Sequence, residues 1–140
     1  MSAVRIAYVN LFARDIVSLA AFYADLFGFQ EITASRSPIY RCLDAGGIEL
    51  GFNAGDAYDL LSLADRRPFY GDMPAPLGCY FTLEVESETA VDELAVQCTA
   101  LGGRICKPPY VTYYNARQAV LADPEDNIFR VNYRLPAPGR

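Results

Sequence analysis

Residues 4–13, VRIAYVNLFA, are apolar at every odd position from Ala7 to Ala13, while the even positions mix Tyr8 and Asn10 with Ile6 and Phe12. This alternation predicts a strand with one face on a core. Asp15 stands where a helix N-cap belongs, and Ile16, Leu19, Ala20, Tyr23, Leu26 and Phe27 recur at helical spacing. Gly28 follows as the stop. Three strand-like runs come next, near 29–34, 38–44 and 47–53, separated by Ser-Arg-Ser-Pro and by Ala45-Gly46-Gly47.

The same order then repeats. Residues 79–85, CYFTLEV, alternate with Tyr80, Thr82 and Glu84 on the polar side. Thr89 is placed to cap a second helix carrying Val91, Leu94, Ala95, Cys98 and Leu101 on one face, with Gly102-Gly103 ending it. Strand-like runs follow near 104–107, 110–121 (broken by a turn around Asn115) and 127–134, the last introduced by the turn Asp123-Pro124-Glu125-Asp126-Asn127. Tyr8 and Tyr80 lie about 72 residues apart, too long a period for a solenoid, so the repeat implies two modules within one 1–140 domain. The first covers about 4–53 and the second about 78–135. Each has one helix and about four strands, an α+β arrangement. One helix covers one face of such a sheet and leaves the other to curl into a concave cleft. The connection, 54–77, holds a short helical candidate, Asp56 to Arg66, then Phe69, Tyr70, Pro74 and Pro76; it reads equally as a lid or as packing over an edge.

Composition narrows the chemistry. With 140 residues, 52% of them hydrophobic, the chain is long enough to bury a core. No apolar run approaches the roughly 20 residues a bilayer requires, and no signal peptide precedes the first strand, so the expected location is the cytoplasm. A net charge of −5, one lysine (Lys107) and scattered arginines argue against nucleic acid. Four cysteines, Cys42, Cys79, Cys98 and Cys106, lack C-x-x-C spacing and are expected as small buried apolar residues. There is no histidine, which removes the commonest general base and transition-metal ligand.

The run from Asp15 to Phe29, DIVSLAAFYADLFGF, resembles the first-helix signature of the glyoxalase / bleomycin-resistance / extradiol dioxygenase superfamily. Gly47-Ile48-Glu49-Leu50 resembles its fourth strand, and DPEDNIF, Asp123 to Phe129, its final turn and strand. The resemblance implies two βαβββ modules forming a curved mixed sheet with a concave cleft. Metal-dependent members place their ligands, two His (or Gln or Glu) and two Glu, on the first and fourth strands of each module. Here those positions are implied to be Tyr8, Glu49, Tyr80 (to within one residue) and Arg130. Arg130 stays protonated and cannot bind a cation, so neither metal nor other cofactor is expected.

Strand parity puts Asn10, Asn53, Thr82 and Asn132 on the same side as these four. Tyr8, Asn10, Glu49, Asn53, Tyr80, Thr82, Arg130 and Asn132 are therefore the candidate ligand-binding residues, with no catalytic residue assigned. Aromatic faces stack flat bodies and amides fix orientation, so the leading expectation is a non-enzymatic, homodimeric binder of planar or amphipathic small molecules, resembling the antibiotic-sequestering branch. The alternative is a lyase, isomerase or dioxygenase using Glu49 as base or metal ligand. A third reading is an acidic protein-interaction module. Glu49 and Arg130 are expected to pair, since each alone would be a costly buried charge.

Overall fold

The computed structural model describes residues 3–67 and 76–137. The chain divides into two compact units, residues 1–75 and 76–140. Each is a βαβββ module with its own four-stranded mixed sheet.

In the first unit, β1 (Tyr8–Phe12) leads to helix α1 (Ile16–Phe27), followed by β2 (Gln30–Glu31), β3 (Tyr40–Asp44) and β4 (Glu49–Asn53). The strand expected over residues 4–13 is shorter because its ladder partner, β4, begins opposite Tyr8. The run near 29–34 gives only two strand residues before a turn of 3₁₀ helix at Thr33–Ser35. The order is β1-β4-β3-β2, with β1 parallel to β4 and the other pairs antiparallel. The Asp15 carboxylate accepts from the Ser18 amide at 3.0 Å and the Ser18 hydroxyl at 2.9 Å, capping α1. Gly28, at φ 72°, ends it in the left-handed conformation that glycine adopts without penalty. Leu19, Phe22, Tyr23 and Leu26 on the buried stripe of α1 cover Leu43, Leu50 and Phe52 of the sheet, with the Tyr23 and Phe52 rings 5.6 Å apart.

The connecting segment forms α2 (Ala57–Leu60) and a 3₁₀ turn, Ala64–Arg66, within the expected helical span. Tyr58 of α2 stacks on Phe12 with centroids 3.9 Å apart. Phe69, Tyr70 and Pro74 lie outside the described residues.

The second unit comprises β5 (Phe81–Glu84), α3 (Glu88–Ala100), β6 (Arg104–Val111), β7 (Ala116–Ala122) and β8 (Ile128–Arg134), in the order β5-β8-β7-β6. The cap of α3 is Ser87, not Thr89: its hydroxyl accepts from the Ala90 amide at 3.0 Å, and Thr89 falls inside the first turn. Residues 104–111 form one strand through Pro108-Pro109, where a break was expected. The prolines are tolerated because β6 is an edge strand whose register shifts on both sides of Lys107. Asn115, at φ 62°, makes the expected turn into β7. Val91, Ala95 and Cys98 of α3 pack on Ala119, Leu121, Phe129 and Val131. Cys42 and Cys98 are buried as expected, but Cys79 and Cys106 are exposed. No helix among the described residues is long and apolar enough to cross a membrane.

Asp123, only 2% exposed, holds the turn into β8: its carboxylate accepts from the amides of Glu125 (2.8 Å) and Asn127 (3.0 Å) and from the Asn127 side chain (2.9 Å). Hydrogen bonds to a charged acceptor are worth more than neutral ones, and the donors left behind are partly buried. Asp123→Ala is therefore expected to destabilise the protein by about 2–4 kcal/mol. Urea denaturation measures this, and a change within error of zero would contradict the turn's role.

Candidate functional site

Each sheet has one face beneath its helix and one face opposite it, and the polar side chains collect on the second. In the first sheet, Tyr8 stands opposite Glu49, Asn10 opposite Gly51 and Phe12 opposite Asn53, while Cys42 of β3 lies opposite Gly51 from the other side. Gly51 is buried mid-strand, and a Cβ there would collide with Asn10 Oδ1 and lie 2.6 Å from the Tyr40 hydroxyl. Its bare backbone gives both side chains room to cross the strand. Asn53 donates to Asn10 Oδ1 at 3.4 Å.

Glu49 is the acceptor at the centre of this face. The Tyr8 hydroxyl donates to it, and the Cys42 thiol approaches its Oε2 at 3.7 Å. The hydrogen bond to Glu49 raises the Tyr8 pKa above its ordinary value. Burial, then a hydrogen bond to Cys42, raises that of Tyr40 further. Burial also raises the Cys42 thiol. All three groups stay protonated at neutral pH, so the face is one carboxylate surrounded by protic donors.

The second sheet carries a longer network in two cross-strand rows. Thr82, Arg130, Val120 and Lys107 are successive ladder partners across β5, β8, β7 and β6; Glu84, Asn132, Gln118 and Tyr110 form the next row. In that second row the Tyr110 hydroxyl donates to Gln118 Oε1 at 2.8 Å. Gln118 Nε2 donates to Asn132 Oδ1 at 3.1 Å and to the Tyr114 hydroxyl at 2.6 Å. Asn132 Nδ2 then donates to Glu84 Oε1 at 2.7 Å. The other Glu84 oxygen takes the Arg134 amide at 2.8 Å. Gln118 is 2% exposed, and among the described residues no buried side-chain polar atom lacks a partner. Arg130 joins the rows. Its Nε donates to Thr82 Oγ1 at 2.9 Å, its Nη1 to the Tyr114 hydroxyl at 3.3 Å, and its guanidinium carbon lies 5.0 Å from the centre of the Tyr80 ring.

The eight candidate residues thus divide between two faces: Tyr8, Asn10, Glu49 and Asn53 on the first sheet, and Tyr80, Thr82, Arg130 and Asn132 on the second. Register alters one assignment. Tyr8 is the ladder partner of Glu49, and the residue paired in the same way with Arg130 is Thr82, two positions beyond Tyr80. In module one the first-strand residue Tyr8 lies seven positions before the cap Asp15, whereas in module two Thr82 lies five before the cap Ser87. Glu49 lies on the first sheet and Arg130 on the second, so the pairing expected of them would have to join the two units.

Three residues that matter here, Gln118, Tyr110 and Tyr114, were not among the candidates. A glutamine directly before the apolar run AVLA of β7 was the available signal, but its partners follow only from register.

The metal that the resemblance implies has no donor set to hold it. Arg130 is a permanent cation, Thr82 and Tyr8 are neutral hydroxyls, and only Glu49 is a good divalent ligand. Among the described residues no three His, Cys, Asp or Glu side chains cluster.

Two tandem βαβββ units, each with one long helix on one side of a mixed sheet, define a glyoxalase-like α+β fold. The chain belongs to the glyoxalase/bleomycin resistance protein/dioxygenase superfamily, whose family model matches residues 5–131. A glyoxalase/bleomycin resistance protein/dioxygenase family enzyme from Burkholderia phytofirmans PsJN is 46% identical, with a TM-score of 0.85 over 92% of this chain and 98% of that one. A glyoxalase-related enzyme from Fulvimarina pelagi is 21% identical, with a TM-score of 0.73 over 92% and 87%. Lactoylglutathione lyase from Agrobacterium tumefaciens is 19% identical, with a TM-score of 0.67 over 95% and 96%. These last two carry the fold alone. No curated protein matches the sequence.

The raised phenol values have a consequence for stability. Folding favours the protonated forms of Tyr40 and Tyr8, so their contribution is whole below the ordinary value of 10.0 and is lost as pH rises through the folded values. The Cys42 thiol adds the same sign, starting from 9.0. Stability measured by denaturant from about pH 8 to 11.5 should fall at the alkaline end, and Tyr40→Phe should shrink that fall. An unchanged alkaline slope in the variant would refute the role of Tyr40.

Proposed function

We propose that this chain binds a planar or amphipathic small molecule without a catalytic metal, on the sheet faces opposite its helices. The observation that carries the reading is Arg130. It occupies the last-strand position where metal-dependent relatives are implied to place a carboxylate, and it is held there by Thr82, Tyr114 and Tyr80 as a side chain positioned for recognition. Exposed Tyr8 and Tyr80, 53% and 49% accessible, supply aromatic surface, and Asn10, Asn53 and Asn132 supply amides. Stacking on such a ring is worth about 0.5–1.5 kcal/mol beyond area burial.

The test is a thermal-shift screen of planar aromatic compounds on protein freed of adventitious ions, followed by calorimetry on any hit. Tyr8→Ala combined with Tyr80→Ala should weaken a hit by about tenfold or more. Elemental analysis of the untreated protein should find no stoichiometric metal. About one Ni, Zn, Fe or Mn per chain, removable only with loss of binding, would overturn the reading; so would a double variant that binds unchanged.

A second reading is favoured by the Tyr8 to Glu49 hydrogen bond and by the description of the Burkholderia relative as an enzyme. Here the chain is a metal-free lyase or isomerase with Glu49 as base and Tyr8 as acid. It predicts that a bound compound is converted, and that Glu49→Gln slows conversion at least about a hundredfold while sparing affinity. A compound recovered unchanged after prolonged incubation, followed by NMR, rules this out.

A further inference from the structure

We infer that the small molecule carries an oxyanion, a carboxylate or phosphate on a planar body, and that Arg130 receives it on the second sheet. The inference rests on the binding reading above and adds the ligand's charge.

Within its own unit Arg130 is a half-buried cation with neutral company. Its Nε and Nη1 are bonded to the hydroxyls of Thr82 and Tyr114, and its flat face lies over Tyr80. Among the described residues of that unit no carboxylate pairs with it. The acid nearest in the pattern, Glu84, sits on the same face one row away, where its two oxygens are turned to Asn132 and to the Arg134 amide and not to Arg130. A guanidinium offers five N–H donors in a planar fork suited to two oxygens at once. Two directions are filled here, and Nη2 has no partner among the described residues of the unit. Removing a cation from water is costly unless a counter-charge accompanies it, and a ligand oxyanion meets that need where no side chain among the described residues of the unit does.

The row containing Arg130 adds a second cation. Lys107, the only lysine of the chain, is two strands away across Val120, with its ammonium 3.8 Å from the centre of the Tyr110 ring. Adjacent strands are about 4.8 Å apart, so the two cations flank a short aliphatic floor at Val120. A flat ring lying there would have its acidic substituent directed to Arg130, and either an edge or a second acidic group near Lys107. The chain as a whole carries −5, so this attraction for anions is local and not a property of net charge.

The experiment compares three probes of like size, benzoate, phenyl phosphate and benzamide, by calorimetry on the intact chain at low and high salt. Benzoate and phenyl phosphate should each bind at least tenfold more tightly than benzamide, by a margin that narrows with salt. Arg130→Met should abolish the preference, so that benzoate and phenyl phosphate bind no more tightly than benzamide. Arg130→Lys, which keeps the charge and loses the fork, should retain part of it and guards against a folding defect in the first variant. Equal binding of benzoate and benzamide overturns the inference and leaves the planar-ligand reading intact. A preference that survives in Arg130→Met overturns the assignment to Arg130. Failure of all three probes, together with every neutral and charged member of the broader screen, removes the binding reading itself.

Discussion

A four-stranded sheet has two faces, and each sheet in this protein has one long helix, α1 or α3, packed over one of them, while on the first sheet Tyr58 of the short α2 also covers Phe12 at the end of the other. The helix side follows the ordinary logic of burial, with Leu19, Tyr23 and Leu26 against Leu43, Leu50 and Phe52, and Val91, Ala95 and Cys98 against Leu121, Phe129 and Val131. The other side is filled with polar groups, and every buried one must find a partner at the cost of its hydration otherwise. The second sheet meets that demand with side chains drawn from all four strands and from the turn after β6. Gln118 is the junction: buried, bonded in three directions, and linking Tyr110, Tyr114 and Asn132. Arg130 takes its orientation from the same structure through Tyr114.

The two faces solve the problem with opposite charges. On the first sheet an acid, Glu49, is surrounded by protic neighbours whose protons burial and hydrogen bonding hold in place. On the second a base, Arg130, is surrounded by hydroxyls and a ring. Neither set of side chains has the chemistry of a divalent cation site, and in each the donors and acceptors are held in place by their neighbours, which is what the proposed binding would draw on. The superfamily fold hosts unrelated chemistries, so side chains, and not topology, must carry the functional argument. The Burkholderia protein shares 46% of its residues with this chain, which makes it the natural comparison for Tyr8, Glu49, Arg130 and Gln118.

Local signals explain what could be foreseen. Asp15 and Gly28 bracket α1 because capping and left-handed turns are decided within a few residues. Alternation placed Tyr8, Asn10, Glu49, Thr82, Arg130 and Asn132 opposite their helices, because strand parity needs no knowledge of partners. Register was the limit. Arg130 pairs with Thr82, two positions beyond Tyr80, and separately the true cap of α3, Ser87, was passed over for Thr89. Pro108-Pro109 looked like a break because nothing local says that a strand lies at an edge. Gln118 meets Asn132 and Tyr110 only through the antiparallel ladders β7–β8 and β6–β7, whose alignment a linear pattern does not specify.

The most direct test of the account is to watch the second sheet's face while a ligand binds. Nitrogen-15 NMR resolves the Nε–H of Arg130 and the side-chain amides of Gln118 and Asn132, assigned through Arg130→Lys, Gln118→Leu and Asn132→Leu. Titration with benzoate should shift the Arg130 Nε–H progressively to saturation, with the Gln118 amide following at the same apparent affinity because Tyr114 joins the two. Saturable shifts confined to residues beneath α3 or α1, with the Arg130 and Gln118 signals unmoved, would contradict it.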